Sequence, residues 1–261
     1  MNIDIEKRLD FAKKIAVDAG KILVARFGGR QKSNMKSIRE TVTEADLRSE
    51  EFILKAIDAE FGEPVLSEEY RSHTDISGPL WIVDPLDGTN NFAIGFPFFA
   101  VIIAFSVDGV SKLGVIHEPI RGETFFTDGK RSYCNDSPIS VSETMRLGDS
   151  MAATGFPYLR GIGHESNLEN FVRVTMSVRG IRRGGSAGLD LAYTAAGRFD
   201  FYWELGLKPW DIAAGDLLVR CAGGKTGLFD GSPWSIGSDR ILAANSKLFD
   251  KASSILSDEE V

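Results

Sequence analysis

Apolar positions along the chain change period several times, and each change marks an element. Between residues 4 and 27, Leu9, Ala12, Ala16, Ala19, Leu23 and Phe27 recur at helical spacing, and Gly28-Gly29 ends the run. A second helical stripe, Leu47, Leu54, Ile57 and Phe61, follows a Thr43–Asp46 pair with capping-box spacing and stops at Gly62 and Pro64. Residues 64–66 read as a short strand feeding Ser67-Glu68-Glu69. Leu80 to Val83 run unbroken into Asp84, the pattern of a buried strand that ends on a carboxylate. Three strand-like runs follow, 98–107, 110–119 and 123–127. Asp108-Gly109 separates the first two and Asp128-Gly129 closes the third, which predicts an antiparallel meander.

The second half alternates strand-like and helix-like stretches. A strand is expected at 151–154, then a helix over 164–178 with Leu168, Phe171, Val172, Thr175 and Val178 inward. Gly184-Gly185-Ser186 precedes another helix, which Gly197 terminates. The strand FDFYW carries Glu204 at its end, and WDIAAG opens a further helix with Asp211 in its first turn. The strand ILAA and a terminal helix close the chain. The expected class is α/β (α+β). A boundary near residue 145, in a stretch rich in Ser, Asp and Gly, separates an α+β lobe (1–145) from an α/β lobe (146–261).

Composition narrows the function classes. With 261 residues, 43% hydrophobic and 26% charged, the chain can bury a sizeable core as a soluble globular protein. Net charge is −7 and no Lys/Arg block exceeds two residues, which argues against non-specific binding to nucleic acid or to an anionic membrane. The longest near-apolar run, 96–107, is too short to span a bilayer, and the start MNIDIEKRLD lacks the apolar core of a signal peptide. A cytoplasmic protein is the expectation. Cys134 and Cys221 stand far apart without CxxC spacing and read as free thiols. His73, His117 and His164 are scattered and form no zinc-type pattern.

The candidate chemistry centres on WIVDPLDGTNNF, residues 81–92. Pro85 fixes its own φ and pushes Asp84 out of the helical region, so the chain must turn there. The turn brings Asp87 back near Asp84, while Gly88 allows close backbone approach and Thr89 adds a hydroxyl. Two crowded carboxylates repel unless a cation sits between them, and a hard divalent ion such as Mg²⁺ suits oxygen ligands. The i, i+3 spacing of Asp84 and Asp87 excludes the i, i+2 acids of haloacid dehalogenase-type phosphatases. Neither cysteine begins a Cys-x5-Arg signature. Gly223 to Thr226 is no P-loop, because Val219 stands where the motif needs glycine. Asp46 stabilises a helix dipole or accepts a proton from a hydroxyl or water; Asp211 has the same first-turn placement. Gly184-Gly185-Ser186 reads as a helix N-cap or a phosphate seat. Residues 30–40, with Lys32, Lys36 and Arg39, read as a solvated loop or a cationic flap.

Together these stretches resemble the inositol monophosphatase family, within the lithium-sensitive, magnesium-dependent phosphatases. Residues 84–92 match its DPxDGTxNF signature and residues 210–215 its WDxAAG signature. The family's Gly-Glu-Glu element appears as Ser67-Glu68-Glu69, a change that affects the local turn rather than the Glu68 carboxylate. The resemblance runs the length of the chain in order, and it implies a layered αβαβα sandwich, a homodimer and two or three Mg²⁺ per active site. It implies that Glu68, Asp84 and the Leu86 carbonyl hold one ion, and that Asp84, Asp87 and Asp211 hold a second. Glu68 would also reach a third, water-rich site. Gly88 and Thr89 would grip the phosphate, and Thr89, Asp46 and Glu68 would serve the attacking water. Gly185, Ser186, Ala187, Glu204 and Asp211 would meet the substrate.

The implied substrate is inositol-1-phosphate or a similar small polyol monophosphate. Histidinol-phosphate, fructose-1,6-bisphosphate and 3′-phosphoadenosine 5′-phosphate are the alternatives. Asn90-Asn91-Phe92 favours polyols, since the nucleotide phosphatases more often carry Lys-Glu-Phe there. Arg182-Arg183 is a surface pair or a seat for a second phosphate. A non-catalytic binding or scaffold protein on this fold is the reading of another class. Loss of metal ligands would mark it, and none is lost in this sequence.

Overall fold

A computed structural model describes residues 3–28, 33–35, 41–70, 75–158 and 165–257. Lys32, Lys36 and Arg39 of the expected loop or flap lie outside the described residues, as do His73 and His164. Asp4 caps α1 (Ile5–Val24) by accepting from the Lys7 amide. The helix buries Leu9, Ala12, Ala16, Ala19 and Leu23 on the expected face. Two short antiparallel strands, β1 (Ser33–Met35) and β2 (Thr41–Thr43), lead into α2 (Glu44–Glu60).

The α2 stripe differs from the expected one. Leu47 is 52% exposed, and the buried face is Ala45, Asp46, Ser49, Glu50, Ile53 and Ile57. The reason is that the first turns of α2 cover polar backbone rather than core. The Ser49 hydroxyl donates to the Pro85 carbonyl at 2.9 Å, and Glu50 accepts from the amides of Glu69 and Tyr70 at 3.1 and 3.0 Å. Satisfied in this way, polar side chains bury without large cost. Apolar periodicity alone has no means of detecting such a face.

Next come β3 (Val65–Ser67) and, parallel to it, β4 (Pro79–Asp87). The strand expected to end at Asp84 continues to Asp87 through a bulge: Asp84 pairs with Ile102 and Asp87 with Ala100. Pro85 has no N–H to give to the ladder, so residues 85 and 86 swell out of register. One turn of helix, α3 (Thr89–Ile94), separates this strand from the expected meander of β5 (Ala100–Val107), β6 (Val110–Glu118) and β7 (Glu123–Thr127). Short β8 (Ser132–Cys134) and β9 (Ser137–Pro138) complete a seven-stranded sheet in the order β3-β4-β5-β6-β7-β8-β9.

The second sheet is assembled from the rest of the chain. Its elements are β10 (Met151–Thr154), α4 (Leu168–Thr175), β11 (Gly180–Arg182), α5 (Ala187–Ala195) and β12 (Phe201–Leu205). They continue with α6 (Pro209–Cys221), β13 (Gly224–Gly227), β14 (Arg240–Asn245) and α7 (Phe249–Leu256), giving the strand order β11-β10-β12-β14-β13. Here α4 departs from expectation. It stops at Thr175, and Leu168 and Val172 are 59% and 61% exposed. The helix rests on α7 through Phe171 and Val174, with Val178 beyond its end, so its inward face is turned from the one expected.

Helices and sheets alternate in five layers. Helices α1 and α2 cover one face of the seven-stranded sheet. Between the sheets lie α5 and α6, in a core that draws Leu80 and Ile102 from one sheet and Tyr202 and Ala243 from the other. Helices α4 and α7 cover the outer face of the five-stranded sheet. This is the αβαβα sandwich. No described helix is long and apolar enough to cross a membrane.

Gly114 lets the middle layer lie close. A Cβ there would stand 2.8 Å from the Ala214 Cα and 2.9 Å from its carbonyl oxygen, so α6 rests directly on β6. Gly114→Val is expected to cost about 1–3 kcal/mol through overpacking. It should lower the urea midpoint with an unchanged slope. A wild-type midpoint would show that α6 can shift freely.

Candidate active site

The bulge in β4 sets the geometry. By swelling at Pro85 and Leu86, it turns Asp84 and Asp87 toward the same cavity, of about 500 Å³. Glu68, just past β3, enters beside Asp84 because β3 and β4 run parallel with Ser67 opposite Val83. Asp211 arrives from α6, where its Oδ2 accepts from the Lys208 amide at 2.8 Å and Pro209 occupies the first turn. Across the cavity stand Gly185, Ala187 and Glu204. Gly88 takes φ +92°, and a Cβ there would come within 3.0 Å of the Phe98 carbonyl, so glycine is required for both reasons.

Asp46 and Ser186 do not line the cavity; each stands behind a residue that does. Thr89 Oγ1 lies 2.9 Å from Asp46 Oδ1 and 2.9 Å from the Leu86 carbonyl, either of which can accept its hydrogen bond. Asp46 Oδ2 accepts from the Thr43 amide and hydroxyl at 2.9 and 2.5 Å, which closes the capping box. Ser186 donates to Asp87 Oδ2 at 2.5 Å, and the amides of Ala187 and Gly188 reach the same carboxylate at 3.2 and 2.8 Å. Ser186 also caps α5, accepting from the Leu189 amide at 3.3 Å.

Electrostatically the site is short of cations. Burial pushes Asp84 well above the usual carboxylate range, and the charges of Glu68, Asp87 and Asp211 push it further. Asp211 is likewise raised, first by burial and then by Asp87 and Glu68. Asp87 is pushed up to about 6 by burial, against the opposing pull of the hydrogen bonds it accepts from Ser186 and the α5 amides. Asp46 also reaches about 6 through burial, against the opposing pull of Thr43 and Thr89. Glu204 is pushed up to about 7 by burial, with Tyr202 and Arg183 opposing. Among the described residues, Asp84, Asp87 and Asp211 have no ion-pair partner.

That donor set is chemically suited to a hard divalent cation: several carboxylates and a carbonyl, all oxygen, in one cavity. Among the described residues, however, no three such side chains already form a closed cage. Asp87 is turned toward Ser186 and the start of α5, as unscreened repulsion favours.

Several contributors escape a motif search. Asn91 belongs to the matched signature, yet its Nδ2 donates to the carbonyls of Phe98 and Gly184 at 2.7 and 2.9 Å, tying the loop after β4 to the one before α5. Arg183 lines the cavity, whereas Arg182 is exposed and folds back on the Ile181 carbonyl. Glu50 lies one turn beyond Asp46, on the same face of α2, and that spacing was the available signal. Nothing local to Gly155 or Tyr202 announces their position beside Glu204, nor that of Asn167 beside Gly155.

Comparison with known proteins gives a consistent result. The model of the family described as "Inositol monophosphatase family" matches residues 4–259. A protein of Synechocystis sp. named inositol-1-monophosphatase is 37% identical over 97% of this chain and 90% of its own length. One from Pasteurella multocida named Nus factor SuhB is 36% identical over 96% of this chain and 97% of its own. The solved inositol monophosphatase of Anabaena (Nostoc) sp. PCC 7120 superposes with a TM-score of 0.89 at 37% identity, covering 98% of this chain and 97% of that one.

Proposed function

The chain belongs to the inositol monophosphatase family, and on that premise we propose that it hydrolyses inositol-1-phosphate and similar polyol monophosphates with Mg²⁺. The observation that carries this reading is the meeting of Glu68, Asp84, Asp87 and Asp211 in one cavity, beside a hydroxyl backed by a buried acid. Glu68, Asp84 and the Leu86 carbonyl would hold one ion, and Asp84, Asp87 and Asp211 a second. Bound Mg²⁺ would supply charge neutralisation at the phosphate oxygens and at the leaving alcohol, and would make a water easier to deprotonate.

The protein's own groups do the remainder. Gly88 and Thr89 place the start of α3 against the phosphate. Thr89 orients the attacking water, passing a proton to Asp46, which lies 2.9 Å behind it. Ser186 and the amides of Ala187 and Gly188 hold Asp87 in place. Glu204 and Gly185 face the alcohol. A homodimer is part of the same reading, supported by exposed Leu168, Val172 and Met176 along one side of α4 and its cap; light scattering would test it.

Phosphate release should be assayed on inositol-1-phosphate, histidinol-phosphate, fructose-1,6-bisphosphate and 3′-phosphoadenosine 5′-phosphate. Inositol-1-phosphate is expected to turn over fastest, with activity lost on chelation and reduced by lithium. Preference for histidinol-phosphate would overturn the substrate assignment. No turnover on any of the four would favour a binding role, the reading to which the likeness with a relative named Nus factor SuhB lends support.

A further inference from the structure

The Glu204 carboxylate is flanked on two sides, by Tyr202 from behind the cavity and by Gly155 on its wall. Glu204 and Tyr202 lie two apart on β12 and so share a face of the strand. Tyr202 is wholly buried, and its hydroxyl donates to Glu204 Oε2 at 2.6 Å. On the other side stands Gly155. Its backbone φ lies outside the left-handed region, so its conformation does not demand glycine. Its space does: a Cβ would fall 2.1 Å from both carboxylate oxygens of Glu204. The acid occupies the place that a side chain at residue 155 would fill.

Gly155 is in turn locked. Thr154 pairs with Trp203 across β10 and β12, and its hydroxyl donates to the Trp203 carbonyl at 2.6 Å. Asn167 is fully buried, with Nδ2 donating to the Gly155 carbonyl and to Thr154 Oγ1, both at 2.7 Å. Its Oδ1 accepts from Trp203 Nε1 at 2.9 Å. A buried amide with both ends satisfied fixes whatever it joins, and here it joins the strand before Gly155 to the strand bearing Glu204.

We infer that Gly155, Tyr202 and Asn167 are positioning residues that seat the Glu204 carboxylate, and that this seat sets selectivity for phosphate esters bearing a neighbouring hydroxyl. The inference rests on the reading of Glu204 as the acid that faces the alcohol. Tyr202 occupies Oε2 and leaves Oε1 to accept from a substrate hydroxyl. A carboxylate already fixed gives up little rotational freedom on binding, whereas a loose one must be ordered by the substrate.

The test compares kcat/KM for inositol-1-phosphate with that for phenyl phosphate, which has no hydroxyl. Tyr202→Phe keeps the ring and the packing, and should lower the ratio about tenfold, mainly through KM for inositol-1-phosphate, as expected for losing a hydrogen bond to a charged group. Gly155→Ala should lower it at least as much. A crystal structure of Tyr202→Phe should show the Glu204 side chain in more than one rotamer. Glu204→Gln is the control. If Glu204→Gln lowers the ratio while Tyr202→Phe and Gly155→Ala leave it at the wild-type value, the seat is refuted and the role of Glu204 stands. If Glu204→Gln leaves it unchanged, the role of Glu204 fails, and the seat with it.

Discussion

Asp211→Asn is expected to lower kcat by about 10³-fold or more, yet to raise the melting temperature of the metal-free protein. The first effect follows from losing a ligand charge where several kcal/mol of transition-state stabilisation is concentrated, at 1.36 kcal/mol for each factor of ten. The fold should survive, because an asparagine oxygen can still accept from the Lys208 amide, which Asp211 now engages at 2.8 Å. The second effect follows from the raised pKa. Burial, and after it Asp87 and Glu68, hold the folded-state pKa of Asp211 well above the unfolded one. The folded protein therefore binds this proton more tightly. Stability is fully present below the unfolded pKa and is lost as pH rises toward the folded value. Asparagine removes that loss. At pH 8 with chelator the variant should melt above wild type, and with saturating Mg²⁺ the order should reverse, since ion binding stabilises only the site that retains its charge. A wild type that melts higher in chelator would refute this account of the acidic cluster.

For Asp46→Asn the expected loss in kcat is about 10²–10⁴-fold, the range for a positioned proton acceptor. Its pH dependence distinguishes it from a merely structural change. Asp46 must be ionised to take a proton through Thr89, and burial places its pKa at about 6. At saturating substrate and Mg²⁺, wild-type kcat should fall about tenfold per pH unit below that value. The residual rate of the variant should lack this limb. Thr89→Ser, which keeps the hydroxyl, should retain both the limb and most of the rate, while Thr89→Val should lose them. Parallel pH profiles for wild type and Asp46→Asn would remove Asp46 from the proton path.

How much of this was legible depends on the range of the forces involved. The capping box of Thr43 and Asp46, the helix opening with Asp211 in its first turn and the meander through Asp108-Gly109 rest on contacts within a few residues. All were visible along the chain. Strand β4 runs three residues beyond the end its apolar pattern predicts, because pairing with β5 carries the strand past Pro85 as a bulge. The inward faces of α2 and α4 differ from those their periodicity predicts for a related reason. Ser49 and Glu50 bury against backbone groups from distant segments, and α4 turns toward whichever face α7 covers.

What the sequence by itself determined was the local chemistry: an acid pair three residues apart around a proline, acids in the first turns of two helices, and the order in which they follow one another. Steric limits on φ and the four unpaired amides of a helix start act over single turns, so residue identity is enough to specify them. Only the tertiary structure decided that Asp46 lies behind Thr89, that Ser186 is hydrogen-bonded to Asp87, and that Gly155 leaves the space Glu204 fills. Those facts depend on excluded volume and hydrogen bonds between segments tens of residues apart, and they exist only once the strands and helices have packed.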